Sequence, residues 1–419
     1  MMTKALQEVA DSGTRLTAAP AGQWLVIVVF AALPSVGLVQ GPSYSGLIFG
    51  LAIGRSVLGI LARRGVPSAD WPLGALATSF ALWCWASVAW SIDPARSAAA
   101  ALQMTAIFAG CLLLLAGPRL TGTAVDRLFR VLLIATLAGG AVFLADRSLG
   151  YPLQSLFMGH SLAPVSTKYN RGIDYLALIA WAQLAYFIRR GERRGALLLA
   201  AGVAVIEGVG PSLAGQVGTA AGGAALALAL LQPRLAATVL ATATVLFVVT
   251  VPISLHALAE HRMALAPYVK ISGLHRLEIW EIMTSRALAH PLLGWGFGVA
   301  GELPITPAEL SHFVIQHDQG IYPHNQWLGL WVETGAPAAA IGLGFALLVL
   351  WRVGGLAPDI RPFGYATFAS AMAISSVNFE VKTDSWWAAV AASAYLLTTL
   401  NAGTLERTPA HAVISSERA

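Results

Sequence analysis

Titratable and amide side chains stand immediately before one of the most apolar stretches of the chain. Tyr322, Pro323, His324 and Asn325 precede a run of apolar residues that is interrupted by Glu333. A helix N-terminus presents unpaired backbone N–H groups and a partial positive charge, which favour an anion. If a helix begins here, His324 and Asn325 would lie beside an anion site. The cost of burying a charge in lipid predicts that Glu333, deeper in the run, faces protein or water.

Cationic side chains occur in two other segments that would suit a diphosphate. Lys168 and Arg171 would lie one turn apart in a helix, and Asn170 and Asp174 would add polar partners. Arg276 lies near the start of a stretch with helical spacing of its apolar residues. Guanidinium groups bind phosphate bidentately, and such charged hydrogen bonds are about twice as strong as neutral ones. The three cations together predict a receptor for a diphosphate.

The composition is that of a protein that lies mostly within a membrane. Hydrophobic residues make up 57% of the chain, charged residues only 11%, and the mean hydropathy is +0.68, whereas soluble domains carry about 25% charged residues. Continuous apolar stretches, long enough to span a bilayer core of about 30 Å, recur along the sequence and exclude a β-barrel. We therefore predict an all-α polytopic integral membrane protein, a single membrane domain over residues 1–419 with about twelve transmembrane helices.

The predicted spans are 23–40, 45–62, 73–91, 98–117, 127–146, 173–190, 195–210, 212–231, 235–256, 326–351, 362–380 and 385–402. Gly208, Gly210 and Pro211 interrupt the stretch 195–231, which is either two short helices or one kinked helix.

The distribution of Lys and Arg predicts the orientation. Twelve spans place both termini on one side, which then carries 17 of the 26 basic residues, so the positive-inside rule makes the termini cytoplasmic. The net charge of +5 therefore reflects topology and does not indicate nucleic-acid binding. Membrane insertion does not favour cations on the side opposite the termini, where the other nine lie. We therefore expect these nine residues to have another role. They are Arg96, Arg147, Lys168, Arg171, Arg262, Lys270, Arg276, Arg286 and Lys382.

One long loop, residues 257–325, stands out in a protein whose other loops are short. It is predicted to be a periplasmic loop with short helices, inserted between transmembrane helices. Together with the segment 147–172 it holds or adjoins eight of the nine histidines. Long loops in compact proteins usually carry function, and both segments are therefore candidates for a site on the side opposite the termini.

Three motifs in this region resemble the O-antigen ligase family, which is similar to O-antigen polymerases and protein O-oligosaccharyltransferases. The motifs are Arg-x3-Trp at 276–280, His-Pro-Leu-Leu-Gly-Trp-Gly-Phe-Gly at 290–298, and the stretch from His324 to Gly335 that contains Glu333. The resemblance covers roughly residues 165–380. It implies a GT-C-like, metal-independent glycosyltransferase without a cofactor. Its partners would be an undecaprenyl-diphosphate-linked glycan donor, a lipid A–core acceptor and membrane lipids. It would act at the periplasmic face of a bacterial inner membrane, in lipopolysaccharide biosynthesis.

The resemblance also implies roles for individual residues. Arg276 and His324 match the essential arginine and histidine of the family. A second family arginine often follows a serine in a mid-chain span, but the comparable stretch 211–214 lacks it, and we expect Arg171 or Lys168 in its place. Since a glycosyl diphosphate already has a good leaving group, His324 would accept the proton of the acceptor hydroxyl in a single displacement with inversion. The remaining candidates are Tyr322, Asn325 and His317 for binding the diphosphate and sugar, and Glu333, Asp174 and Asn170 as supporting residues.

Two alternatives stay open at this point. An O-antigen polymerase would use the same donor, and the motifs separate it poorly from a ligase. A transporter or flippase of lipid-linked oligosaccharides would place ionisable residues near the midplane on broken helices. The region from Glu207 to Pro211 fits that description, whereas most other charges do not. His312, His317 and Asp318 lack a standard metal-ligand spacing, and we expect no metal site.

Overall fold

Helices form all the regular structure in the parts of the chain that can be described. The computed structural model describes residues 20–39, 41–61, 70–117, 119–158, 169–268, 271–311, 313 and 321–405. No strand occurs within these ranges, and the all-α prediction is confirmed. The helices are α1 (Pro20–Val39), α2 (Ser43–Leu61), α3 (Trp71–Ala86), α4 (Pro94–Ala116), α5 (Thr123–Ser148), α6 (Pro152–Met158), α7 (Asn170–Arg189), α8 (Arg193–Val209), α9 (Leu213–Leu231), α10 (Pro233–Glu260), α11 (Arg262–Leu265), α12 (Ile271–Ala289), α13 (Pro307–Ser311), α14 (Gln326–Gly354), α15 (Arg361–Ser375) and α16 (Asp384–Leu405).

A helix lies at each of the twelve predicted spans, and the protein is a polytopic helical membrane protein. Eight helices, α1 to α5, α9, α10 and α14, are long and apolar enough to cross a bilayer. Of the other four, α8 and α15 have 17 and 15 residues and are shorter than a usual span. The stretch 195–231 forms two helices, because Ser212 begins α9 by accepting a hydrogen bond from the Gly215 N–H.

α7 is the central helix of the bundle. All but one of its residues from Gly172 to Phe187 are buried, and it packs against α1, α5, α8, α9, α15 and α16. A helix that is enclosed on every side needs no polar face, which explains its apolar sequence. A Cβ atom at Gly172 would lie 2.2 Å from the Gly37 carbonyl oxygen, so glycine is required where α7 crosses α1. The first turn of α7 is thereby held at the end of the bundle, with Arg171 and Asp174 on it.

The described residues of the segment between α10 and α14 form three α-helices and pack onto the bundle. α10 continues four residues beyond the predicted span end, to Glu260. α12 packs against α10 and α14. Two ion pairs hold the segment together, Arg262 with Glu281 at 2.8 Å and Arg286 with Glu309 at 2.8 Å. The predicted loop is therefore an ordered layer over the membrane helices in its described parts.

A kink in α14 explains by its geometry why two of the sequence motifs contain glycines. Gly335 has φ 68° and ψ −165° inside the helix, a conformation that favours glycine. The kink frees backbone groups, and the loop after α12 satisfies them: Trp295 N–H donates to the Val332 carbonyl, Gly296 N–H to the Glu333 carbonyl, and Ala336 N–H to the Pro291 carbonyl. The glycine-rich motif and the end of the His324–Gly335 stretch are thus two halves of one packing contact.

Candidate functional site

The helix that carries Arg276 contacts the segment that carries His324. The indole Nε1 of Trp280, one turn after Arg276 on α12, donates a hydrogen bond of 2.7 Å to the Pro323 carbonyl oxygen. Trp280 is buried, so water does not compete for this bond. Two motifs more than forty residues apart in sequence therefore meet directly before the start of α14.

His324 is held in an uncommon backbone conformation. Its φ of 49° lies in the left-handed region, which costs a residue with a Cβ atom about 1 kcal/mol or more. The imidazole packs on the ring of Tyr322, with the centroids 4.0 Å apart, and both side chains are half-buried. Such strain persists only where the surrounding structure imposes it and is concentrated at functional sites. The arrangement leaves the imidazole accessible beside a phenol.

Two arginines from different elements act on the same phenol. Arg171 on α7 and Arg276 on α12 are both near enough to Tyr322 to oppose a rise in its pKa, which burial and Glu380 cause. The phenol therefore stays protonated and can donate a hydrogen bond. Burial also lowers the pKa of the Arg276 guanidinium, and Asp174 and Tyr322 act against that shift. A partly desolvated guanidinium that keeps its charge binds an anion strongly.

Arg171 and Arg276 differ from the other cations that the sequence places on the same side. Arg147 donates to the Tyr151 hydroxyl. Four more form ion pairs, Arg96 with Glu302, Arg262 with Glu281, Arg286 with Glu309 and Lys382 with Glu380. Within the ranges described above, neither Arg171 nor Arg276 forms an ion pair with a carboxylate. Among the cations of this side that the structure describes, these two guanidinium groups are left to bind a ligand.

A buried polar network lies beneath the two arginines. The Asp174 carboxylate accepts hydrogen bonds from the Ser212 hydroxyl at 2.5 Å and from the Asn378 amide at 2.7 Å, and it lies within electrostatic range of Arg276. Asp174 is fully buried. The sequence prediction missed Ser212, Asn378 and Glu380. Two features of the sequence could have pointed to these residues: the helix break before α9 and the high density of polar residues after α15.

The predicted anion site at the start of α14 is not available as expected. Asn325 is the N-cap of this helix, and its Oδ1 accepts from both the Trp327 and the Leu328 N–H at 3.0 Å. The first-turn amides thus already have an acceptor, and side chains must hold an anion instead. The Asn325 Nδ2 is buried and has no hydrogen-bond partner among the described residues. Asn325 can still donate from that nitrogen.

The remaining residues that the sequence proposed for the site either lie in helices or fall outside the described residues. Glu333 is buried in α14, and its Oε1 accepts from the Ala300 N–H at 3.2 Å, so it joins the loop to the kinked helix. Asn170 is the first residue of α7, and its buried Oδ1 has no partner in the described part of the chain. Lys168 and His317 lie outside the described residues, and their roles stay predictions. The structure thus brings together Arg171, Arg276, Tyr322, His324 and Asp174 at the same end of the bundle.

Comparisons with known proteins show what this chain is similar to. Residues 195–343 match the sequence model of the family described as "O-Antigen ligase". A Rickettsia felis protein named "Putative polysaccharide ligase" is 26% identical over 317 residues, covering 74% of this chain and 75% of the relative. Relatives with similar names in Rickettsia typhi and Rickettsia prowazekii are 24% and 21% identical, and cover 74% and 87% of this chain and 75% and 94% of their own length. These findings support the O-antigen ligase family and confirm the resemblance found in the motifs.

Proposed function

On the premise of the O-antigen ligase family, we propose that this protein is an inverting O-antigen ligase. It transfers the O-antigen glycan from undecaprenyl diphosphate to a hydroxyl of the lipid A–core oligosaccharide. The reaction takes place at the periplasmic face of the inner membrane, and both termini are cytoplasmic. The observation that carries the proposal is the meeting of Arg171 and Arg276, neither in an ion pair within the described chain, around Tyr322 and beside His324.

The two arginines and the phenol bind the diphosphate in this scheme. Arg171 and Arg276 neutralise the negative charge that grows on the leaving diphosphate, and Tyr322 donates a hydrogen bond to one of its oxygens. Asp174 orients Arg276 from below, and its own hydrogen bonds to Ser212 and Asn378 keep it in place. Arg276 is half-buried, so its charge is screened less by water than that of the exposed Arg171.

His324 activates the acceptor. The acceptor oxygen forms a bond to the anomeric carbon while the bond from that carbon to the diphosphate oxygen breaks. The acceptor proton moves to the imidazole of His324, and undecaprenyl diphosphate leaves with its negative charge on the arginines. A single displacement of this kind inverts the anomeric configuration. The reaction needs no metal ion in this scheme, since the cationic side chains do the work of charge stabilisation.

A reconstituted transfer assay tests the proposal. Purified protein is incubated with undecaprenyl-diphosphate glycan, with and without lipid A–core, and the products are separated by size. A ligase attaches glycan to the lipid A–core and makes no longer lipid-linked glycan when the acceptor is absent. Lengthening of the lipid-linked glycan without acceptor would instead show a polymerase. Movement of donor across vesicles with no new glycosidic bond would show a transporter.

A further inference from the structure

The loop between α15 and α16 holds a residue in an uncommon backbone conformation. Phe379 has a φ of 65°, in the left-handed region that favours glycine. In the described part of the chain, Tyr151 and His324 are the other non-glycine residues with a positive φ. A left-handed residue often follows a helix, and it is usually glycine. A phenylalanine persists in this conformation only where the surrounding structure offsets the strain.

The phenyl ring of Phe379 is held between two aromatic rings from different helices. Its centroid lies 5.9 Å from that of Tyr175 on α7 and 4.7 Å from that of Trp386 on α16, with interplanar angles of 18° and 19°. All three side chains are buried. The Tyr175 hydroxyl also donates a hydrogen bond of 2.7 Å to the Ser385 hydroxyl, which ties α7 to α16 beside the stack. Because stacked aromatic pairs stabilise a structure beyond burial alone, this stack offsets the strain in the loop.

The residue before Phe379 supports one of the two arginines of the candidate site. Asn378 donates a hydrogen bond of 2.7 Å to the Asp174 carboxylate, which lies within electrostatic range of Arg276. The next residue of α7, Tyr175, is the one that stacks on Phe379. Two consecutive contacts therefore fix the register in which the loop meets α7.

Glu380, the next residue of the loop, acts on the phenol of the candidate site. Burial raises the pKa of the Tyr322 phenol, and the nearby Glu380 carboxylate raises it further. The backbone of Glu380 is held by two hydrogen bonds of 3.2 Å: its carbonyl oxygen accepts from Gln326 Nε2, and its N–H donates to the Thr383 hydroxyl. Phe379 thus stands between a side chain that supports an arginine and a side chain that acts on the phenol.

We propose that Phe379 is a positioning residue of the candidate site. Its stacked ring holds the loop in the left-handed conformation that directs Asn378 to Asp174. The same conformation directs Glu380 to Tyr322. Phe379 acts through these two neighbours and not on the substrate itself. The inference rests on the proposed function for the identity of the ligand, undecaprenyl diphosphate.

Replacing the ring by an aliphatic side chain of similar size tests this role. Phe379→Leu should raise the donor KM about tenfold and lower kcat less, because the loss of one hydrogen bond to a charged group costs about that factor. The matched control is Phe129→Leu, since Phe129 is also buried and stacks on Tyr186 at 4.7 Å, near the opposite end of α7. The control should lower the Tm to a similar degree and leave the donor KM unchanged. An unchanged KM in Phe379→Leu, or an equal rise in the control, would overturn the assignment.

Glycine and alanine at the same position separate the ring from the backbone strain. Both substitutions remove the ring, but glycine adopts a left-handed conformation without strain. Phe379→Gly should therefore unfold at a higher temperature than Phe379→Ala, while the donor KM stays raised in both. A wild-type KM in Phe379→Gly would show that the backbone alone positions the loop and would exclude a role of the ring.

A double-mutant cycle shows whether Phe379 acts through its neighbours. In a background that carries Asn378→Ala and Glu380→Gln, the two positioned side chains are already removed. Adding Phe379→Leu there should change the donor KM by no more than about twofold, whereas an independent site would repeat its full effect. A further rise as large as in the wild-type background would refute action through the neighbours.

This inference and the ligase reaction fail in different ways. The Kd of undecaprenyl diphosphate is measured for each variant as well, since binding needs no turnover. A wild type that binds the diphosphate without transferring glycan, together with weaker binding in Phe379→Leu, would support the positioning role and remove the ligase reaction. Transfer to lipid A–core with the same donor KM in Phe379→Leu would support the ligase reaction and remove the positioning role. A wild type that neither binds nor transfers would remove both.

Discussion

The indole nitrogen of Trp280 donates a 2.7 Å hydrogen bond to the carbonyl oxygen of Pro323. This bond fixes the position of Arg276, one turn earlier on α12, relative to His324, the residue after Pro323. Trp280 and Pro323 have no role in the proposed chemistry themselves. A buried hydrogen bond of this kind contributes about 1 kcal/mol to stability. In the proposed reaction, the bond joins the guanidinium that binds the diphosphate to the imidazole that accepts the proton.

His324→Ala should abolish glycan transfer without unfolding the protein. Loss of a general base lowers the rate by roughly a hundredfold or more. The matched control is His261→Ala, since His261 is exposed and its Nδ1 lies 2.8 Å from the Ala257 carbonyl oxygen. The measurement is the initial rate of transfer to lipid A–core, with thermal unfolding of each variant as the folding check. Wild-type rates in His324→Ala would remove His324 from the reaction.

Arg276→Ala should lose transfer, and Arg276→Lys should recover only part of it. Lysine keeps the charge, but it does not offer the bidentate fork that guanidinium presents to phosphate. We expect a loss of about tenfold to a hundredfold for alanine, from charged hydrogen bonds worth about 1.5–3 kcal/mol. Arg147→Ala, which removes an exposed arginine assigned to the same side, is the control. If lysine restored full activity, a bidentate contact would be excluded.

Asn378→Asp should reduce transfer more than Asn378→Ala does. Alanine removes one donor to the Asp174 carboxylate, whereas aspartate places a second carboxylate at a 2.7 Å contact. Either change disturbs the support of Arg276, so the donor KM should rise more than kcat falls. The exchanged pair Asp174→Asn with Asn378→Asp restores one carboxylate and one amide and should recover activity. Equal effects of the two single variants, with no recovery in the pair, would contradict a positioning role.

Gly335→Ala should destabilise the protein, and Gly344→Ala should not. At Gly335 a Cβ atom would lie 2.4 Å from the Leu292 carbonyl carbon, and φ is positive. We expect a loss of about 1–3 kcal/mol in the free energy of unfolding from strain at this position. At Gly344, on the same helix, the nearest atom would be at 3.7 Å, and alanine should be neutral or stabilising. Thermal unfolding in detergent measures both, and a tolerated Gly335→Ala would show that the kink is not required.

Chelators should not inhibit transfer. In the proposed scheme Arg171, Arg276 and Tyr322 stabilise the leaving diphosphate, so removal of divalent ions leaves the reacting groups unchanged. The transfer rate is measured before and after EDTA treatment, and again after divalent ions are returned. Loss of activity in EDTA that a divalent ion restores would refute the metal-free scheme.

Much of the fold follows from local properties of the chain. The apolar stretches predicted the positions of twelve helices, because each helix must satisfy its own backbone hydrogen bonds within a membrane. The sequence showed a break at Pro211 but left open whether one kinked helix or two helices form there. The structure has two helices, and Ser212 caps the second. Motif resemblance selected Arg276 and His324 without indicating a distance between them.

The sequence by itself determined that this is a helical membrane protein. It also predicted nine cations on the side opposite the termini, with eight of the nine histidines in or beside two segments there. It did so because hydropathy and charge act residue by residue, whatever the neighbours in space. Only the tertiary structure decided which cations are left for a ligand, since Arg96, Arg262 and Arg286 pair with Glu302, Glu281 and Glu309, which are remote in sequence. It also decided that Asn378 reaches Asp174, 204 residues away. Such contacts depend on how helices pack, and no local pattern encodes that.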